Sequence, residues 1–114
     1  AAHRAMATSS AYARVNINQL GQNVGKVVRI VGRVAHIDGS VVTLRDDIGA
    51  EAKVVCQGAP RFSDGVIESV GTVQEDTSLT EMMATRFSDD FDMKLYRETV
   101  METQRFPTLF PVAT

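Results

Sequence analysis

The sequence has few of the residues on which disulfides, metal sites and membrane spans depend. It contains one cysteine, Cys56, two histidines and no apolar run of the roughly 18 residues that a bilayer requires. A single cysteine excludes an internal disulfide and fits a reducing compartment, and one cysteine with two histidines cannot form a clustered metal site. We expect Cys56 to be a small buried hydrophobe near a strand end. We also expect no metal, no cofactor and no membrane partner.

Catalytic motifs and a basic charge excess are missing as well. The sequence has no P-loop, no dinucleotide glycine pattern and no Gly-x-Ser-x-Gly elbow, so we predict that the chain is not an enzyme. Its 12 basic residues are outnumbered by 14 acidic ones, and the net charge is -2. Dedicated nucleic-acid binders usually show a basic excess. Any such role is therefore expected to use a local patch or to belong to partner proteins.

The overall composition is that of one ordinary globular domain. Hydrophobic residues make up 44% of the 114 residues and charged residues 23%. The N-terminal stretch AAHRAMATSSAYA is small and polar, without the apolar segment of a secretory signal. We expect residues 1–13 to form a flexible arm outside the fold.

Five segments rich in β-branched residues follow, with short polar turns between them. The predicted strands are KVVRIVGRVAHI (26–37), SVVTL (40–44), AEAKVVC (50–56), VIESVGTVQ (66–74) and SLTEMMATRF (78–87). Asp38-Gly39 is a hairpin signal, since both turn residues must tolerate positive φ. Gly32 in the long first strand and Gly71 in the fourth predict bends. A mainly β fold with a five-stranded OB-fold barrel over residues 14–88 is favoured, while an SH3-like barrel or a sandwich fragment also fits.

After the fifth strand the hydrophobic period changes to that of a helix. Asp89 is the predicted N-cap, with Asp92 three residues later where a carboxylate favours the helix dipole. The helix is expected to run from about Asp90 to Arg105, and Pro107 ends it. This assigns residues 89–106 to a C-terminal helix and residues 107–114 to a tail.

The helix has more apolar surface than one contact covers. Residues of one flank are Phe91, Leu95, Thr99 and Phe106, and the apolar residues of the other are Met93, Tyr96, Val100 and Thr103. We expect the flank with Leu95 to pack on the barrel and the flank with Val100 to stay exposed in the monomer. So large an exposed strip indicates a surface for partner helices. Coverage of both flanks by the chain's own last strand and tail is the alternative.

Basic residues in and beside the first three predicted strands suggest a nucleic-acid surface. These candidates for a weak contact are Lys26, Arg29, Arg33, Arg45 and Lys53. Single-strand binders also need aromatic side chains on which bases stack, and those three strands contain none. The barrel is therefore expected to be a scaffold, and an ordinary solvated surface is the favoured explanation of the five basic residues.

The C-terminal block resembles that of a known family. Phe91-Asp92, Leu95-Tyr96, Val100, Phe106-Pro107 and Phe110-Pro111 are similar to the closing helix and Phe-Pro tail of the small subunit of replication protein A, the eukaryotic heterotrimeric single-stranded DNA-binding protein. VVRIVGRV and VIESVGTV resemble its first and fourth barrel strands, and the resemblance spans residues 14–112. It implies a nuclear OB-fold subunit acting in DNA replication, repair and recombination. The partners that it implies are the middle and large subunits, joined in a parallel three-helix bundle, with single-stranded DNA bound mainly by them.

The resemblance also implies roles for individual residues. The implied subunit-interface residues are Met93, Leu95, Tyr96, Thr99, Val100, Thr103 and Phe106, with Phe91 and Phe110 anchoring the helix and tail. Glu102 and Thr103 depart from the family pattern, which usually has aliphatic residues there. Two alternatives therefore stay open: a small OB subunit of a telomeric single-strand-binding complex, and a free-standing OB module that binds nucleic acid.

Overall fold

The computed structural model describes residues 12–105. Its elements are β1 (Ala13–Arg14), a 3-10 helix (Ile17–Gln22), β2 (Val27–Asp38), β3 (Val41–Arg45), β4 (Glu51–Val55), β5 (Val66–Val73), β6 (Leu79–Phe87) and α1 (Met93–Arg105). All five predicted strands are confirmed as β2 to β6, each bound lying within one residue of the prediction. The strand β1 was not predicted: Ala13, assigned to the flexible arm, pairs in parallel with Val28 of β2.

The strands close into a ring because β2 pairs with two neighbours. Its first half, Val27–Arg33, is antiparallel to β5, and its second half, Arg33–Asp38, is antiparallel to β3. The ring continues from β3 to β4, then in parallel from β4 to β6, and in antiparallel from β6 back to β5. This ring matches the predicted OB-type barrel, with the short β1 added as a sixth strand.

Two glycines permit the bends that the ring needs, as the sequence predicted. Gly32 lies where β2 passes from β5 to β3, and a Cβ there would be 2.8 Å from the Cβ of Leu44. Gly71 lies at a register shift between β5 and β6, where a Cβ would overlap the carbonyl oxygen of Thr80. Both positions exclude a side chain through close approach of a neighbouring strand.

The first hairpin turn lies one residue later than predicted. Asp38 still pairs with Val41, so the two turn residues are Gly39 and Ser40. Only Gly39 has positive φ, at 59°, and glycine at this first position is typical of a type II′ turn. The prediction that Asp38 itself would be a turn residue is therefore wrong.

The barrel interior holds a continuous apolar core. Its residues include Ile30, Leu44, Val54 and Leu79, which are at most 1% exposed. Cys56 belongs to the same core, as predicted, and burial raises the pKa of its thiol. At about 25 cal/mol per Å² of apolar surface removed from water, this core is the main stabilising contribution to the fold.

The outer face of β2 and β5 is also covered, so these strands do not alternate between buried and exposed. Residues 28–32 of β2 and residues 66–71 of β5 are all buried. Arg29 and Glu68 lie on that outer face, and segments from both ends of the described chain lie over them. The outward side chains of β2 and β5 therefore form a second buried layer, which lies between these strands and α1.

Candidate subunit interface

The helix α1 begins at Met93, three residues later than the sequence predicted. The carboxylate of Asp92 accepts a hydrogen bond from the backbone N–H of Leu95 at 2.9 Å, which makes Asp92 the N-cap. Asp89, predicted to be the N-cap, instead accepts a hydrogen bond from the Arg86 side chain at 3.1 Å. The prediction that Asp89 caps the helix is therefore wrong, because its carboxylate binds the Arg86 side chain of β6 instead.

The inner side of α1 is apolar at its centre and lies on the barrel. Val100 is 1% exposed, and the ring of Tyr96 is 5.9 Å from that of Phe91. Phe91, the predicted anchor, has its own ring 4.6 Å from that of Phe87 at the end of β6. A chain of aromatic contacts thus links β6 to the first turns of α1.

Three polar contacts hold the same side of α1. Arg97 donates to both carboxylate oxygens of Asp47, in the turn between β3 and β4, at 2.9 to 3.1 Å. Its carbonyl oxygen accepts a hydrogen bond from the Asn16 side chain at 3.3 Å. Two helical turns after Arg97, the side-chain amides of Gln104 and Gln19 are 2.8 Å apart. These contacts fix how the helix is rotated about its own axis.

A buried polar cluster lies under the helix. Glu68 is 8% exposed and Arg29 is 7% exposed, and their charged groups are 4.0 Å apart. The hydroxyl of Tyr96 is buried and has no hydrogen-bond partner among residues 12–105. Burial raises the pKa of Tyr96, and the negative charge of Glu68 adds to the rise; burial likewise raises the pKa of Glu68.

The outer side of α1 is exposed. Leu95 is 60% exposed and Met101 is 53% exposed, and Glu98, Thr99 and Glu102 are exposed beside them. The expected orientation of the helix was therefore wrong. The flank with Val100 packs on the barrel, and Leu95 faces away from it. The reason is the polar contacts of Arg97 and Gln104, which apolar periodicity does not show.

The predicted interface residues are consequently split between the two sides. Leu95 and Thr99 lie on the outer side, whereas Val100 is covered by its own chain. Tyr96, Met93 and Thr103 are half-buried, with the Thr103 hydroxyl donating to the carbonyl oxygen of Thr99 at 2.9 Å. Phe106 and Phe110 lie outside the described residues. Met101, Glu98 and Glu102 share the outer side but were not among the predicted interface residues.

The structure brings together some of the predicted nucleic-acid residues: Arg33 lies opposite Arg45 in the register of β2 and β3, and Lys53 follows on the same face of β4. Arg29 is buried, and its Nε donates to the carbonyl oxygen of Tyr12 at 2.9 Å, so its prediction as a surface contact is wrong. Arg45 forms an ion pair with Glu51, its cross-strand neighbour. The remaining three are exposed, namely Lys26, Arg33 and Lys53. The alternation of side chains along the strand correctly placed Arg29 on the outer face of the barrel. It could not show that other segments of the chain cover this face.

Residues 12–105 show neither a metal site nor a membrane-spanning helix. No cluster of three His, Cys, Asp or Glu side chains there is arranged to hold a metal ion. The helices of this described part are all too short or too polar to span a membrane. Phe62, the one aromatic residue in the loop before β5, packs against the core. The exposed Leu95 and Met101 make the outer side of α1 the candidate interface.

Comparison with known proteins points to one family. The family model described as Replication factor A protein 3 matches residues 6–110. Replication factor A protein 3 of Schizosaccharomyces pombe is 27% identical over 97 residues, which are 85% of this chain and 92% of that protein. A chain in the structure of U. maydis Replication protein A bound to ssDNA superposes with a TM-score of 0.81 at 26% identity, covering 88% of this chain and 95% of that one.

A second group of structures is more distant. A chain of the S. pombe Stn1-ten1 complex has a TM-score of 0.68 at 18% identity and covers 82% of this chain and 92% of that chain. At this identity the likeness concerns the fold alone.

Proposed function

Since the chain belongs to the Replication factor A protein 3 family, it is a small subunit of replication protein A, and we propose that α1 holds it in the heterotrimer. In this proposal one helix from the middle subunit and one from the large subunit pack beside α1 as a three-helix bundle. The observation that carries it is the exposed outer side of a helix whose inner side is fixed to the barrel. On that side Leu95 is 60% exposed and Met101 is 53% exposed, and both offer apolar contact area to partner helices.

The interface of this proposal is centred on Leu95 and Thr99 and extends to Met101. Val100 and Tyr96 contribute indirectly, because their contacts with the barrel determine which side of α1 is exposed. Met93 and Thr103 lie at the borders of the exposed side. This division separates residues needed for the subunit's own stability from residues needed for assembly.

Single-stranded DNA is bound mainly by the two larger subunits in this proposal. The first three barrel strands of this chain contain no aromatic residue on which a base stacks. Arg29 is buried and the exposed Arg45 is paired with Glu51, so three of the five candidates are exposed without an ion pair in residues 12–105, namely Lys26, Arg33 and Lys53. The chain is a structural subunit without catalytic activity of its own, and it acts in the nucleus in DNA replication, repair and recombination.

Two measurements test this function. The tagged chain, expressed in its own organism, is expected to co-purify with the middle and large subunits of replication protein A, identified by mass spectrometry. Recovery of a telomeric single-strand-binding complex in their place would overturn the proposal. The isolated chain is expected to show negligible affinity for a short single-stranded oligonucleotide at physiological salt, because stacking residues are lacking. Micromolar or tighter binding would indicate a free-standing module.

A further inference from the structure

Side chains alone hold α1 on the barrel. Within residues 12–105, no backbone–backbone hydrogen bond joins the helix to a strand, and the polar contacts are made by the side chains of Asn16, Arg97 and Gln104. The strands themselves are joined by backbone ladders, as between β2 and β5. Local opening requires least free energy where few such contacts must break. We therefore expect α1 to open from the barrel while the strands stay paired.

The docked helix covers a carboxylate of the barrel. Glu68 of β5 is 8% exposed, and its negative charge acts on the buried hydroxyl of Tyr96 on α1. Its ion-pair partner Arg29 is 4.0 Å away, which is too far for a hydrogen bond. The Nε of Arg29 donates to the carbonyl oxygen of Tyr12. An anion at Glu68 is therefore only partly compensated while α1 is docked.

Among the described residues, three elements bring charged or ionisable groups to Glu68. Arg29 of β2 and Arg14 of β1 favour its anion, and Tyr96 of α1 presents a neutral hydroxyl, since burial raises the pKa of that group. On β6 the residue in register is Thr85, which does not ionise. Burial outweighs both arginines, so the pKa of Glu68 lies above its ordinary value. When α1 opens, water reaches the carboxylate and this pKa falls back, so docking of α1 takes up a proton.

A second carboxylate at the same helix has the opposite preference. Asp47 accepts hydrogen bonds from Arg97 at 2.9 to 3.1 Å, and these lower its pKa. Lys94 of α1 also favours the Asp47 anion, while Asp46 of the same turn acts on Arg97 as well. When α1 opens, these contacts are lost, so docking of α1 releases a proton from Asp47.

We propose that α1 docks most tightly at moderately acidic pH and opens more readily on either side of it, because it binds Asp47 as an anion and covers Glu68 as a neutral acid. The optimum lies near the ordinary pKa values of the two carboxyl groups, about 4. The contribution of Glu68 is complete below its ordinary pKa and is lost as pH rises through the raised value. The contribution of Asp47 is complete above its ordinary pKa and is lost as pH falls through the lowered value. Both contacts lie within one chain, so this pH dependence goes beyond the assembly role and does not require it.

Hydrogen exchange of the full-length chain from about pH 3 to about pH 8, corrected for the intrinsic rate of each amide, tests the proposal. Above the optimum, the opening equilibrium at the central amides of α1 is expected to rise by up to about tenfold per pH unit, the limit set by one proton. Glu68→Gln is expected to remove this rise, and Asp47→Asn to remove the rise below the optimum. Glu81→Gln is the matched control and is expected to change neither, because Glu81 accepts a hydrogen bond from Ser69 and lines a groove between β6 and the loop before β5.

Amides of β2 and β5 in the same samples show whether the opening is local. They are expected to exchange more slowly than the central amides of α1 at every pH at which the barrel is folded. Equal protection of α1 and these strands would mean that α1 opens only when the barrel unfolds, and the proposal would be wrong. It would also be wrong if α1 opened independently of pH above the optimum, or if Glu81→Gln removed the rise as Glu68→Gln does. If Glu68→Gln does not fold, the pH profile of the unmodified chain decides by the same criteria.

Discussion

The guanidinium of Arg97 on α1 binds the carboxylate of Asp47 in the β3–β4 turn through two nitrogens, with Nε at 2.9 Å and Nη2 at 3.0 Å. This bidentate contact joins residues 50 positions apart and is made by a planar group that must be correctly oriented. Rotation of α1 about its axis would break it. The contact therefore fixes the orientation of α1 on the barrel, and with it the side of the helix that is exposed to partners.

Asp47→Asn is expected to loosen α1 while leaving the barrel folded. The hydrogen bonds from Arg97 hold the pKa of Asp47 below its usual range, so their contribution is present above the ordinary pKa and is lost as pH falls through the lowered value. Hydrogen exchange of the α1 amides is the measurement, and faster exchange is expected in the variant. Glu51→Gln, which removes an ion pair between two strands, is the control. Equal exchange in wild type and Asp47→Asn would contradict the account.

Tyr96→Phe is expected to leave stability unchanged or to raise it by roughly 1 kcal/mol. Its buried hydroxyl has no hydrogen-bond partner among the described residues, and a buried unsatisfied polar group is destabilising. Urea denaturation of the isolated chain measures the effect, with Tyr12→Phe as the matched control. Destabilisation by more than about 1 kcal/mol would mean that the hydroxyl makes a stabilising hydrogen bond in solution.

Glu68 is expected to make stability fall as pH rises. Burial raises its pKa in the native state, and Arg29 and Arg14 only partly oppose this rise. The native state therefore binds more protons than the unfolded state between the ordinary and the raised pKa, and the free energy of unfolding decreases across that window. The measurement is urea denaturation at several pH values from about 4 to about 8. The stability of wild type relative to Glu68→Gln should fall with pH, and a constant difference would contradict the assignment.

Most of the barrel was predictable because β-branched runs and turn residues are local signals. Gly32 and Gly71 were recognised as bends from their positions in strands, and close approach of Leu44 and Thr80 explains both. The 3-10 helix and β1 escaped prediction because neither has a sustained period. The signal for the 3-10 helix was a capping box, in which the backbone N–H of Asn16 donates to the Gln19 side chain at 2.9 Å.

The sequence predicted the helix of the candidate interface, but not which side of that helix faces the barrel. The hydrophobic periodicity showed that α1 has two apolar flanks. It could not show which flank packs on the barrel, since Val100 and Leu95 are similarly apolar. The decision between them depends on the contact between Arg97 and Asp47, whose separation of 50 residues leaves no local pattern. Coverage by α1 and by the segment that contains Tyr12 explains why Arg29 is buried although it lies on an outer strand face.

Substitutions at Val100 and at Leu95 are expected to have opposite effects: the first lowers stability, and the second prevents assembly. Val100→Ala removes buried carbon atoms and is expected to lower the stability of the isolated chain by about 2 kcal/mol, while the variant still enters the complex. Leu95→Asp changes an exposed position, so its effect on stability is expected to be within about 0.5 kcal/mol. Thermal or urea denaturation measures both values.

Co-purification of Leu95→Asp with the middle and large subunits, with Val100→Ala prepared in parallel, tests most directly whether α1 is shared between its own barrel and other chains. We expect Leu95→Asp to be folded but absent from the recovered complex, and Val100→Ala to be less stable but present. Recovery of Leu95→Asp in normal amounts would contradict this expectation.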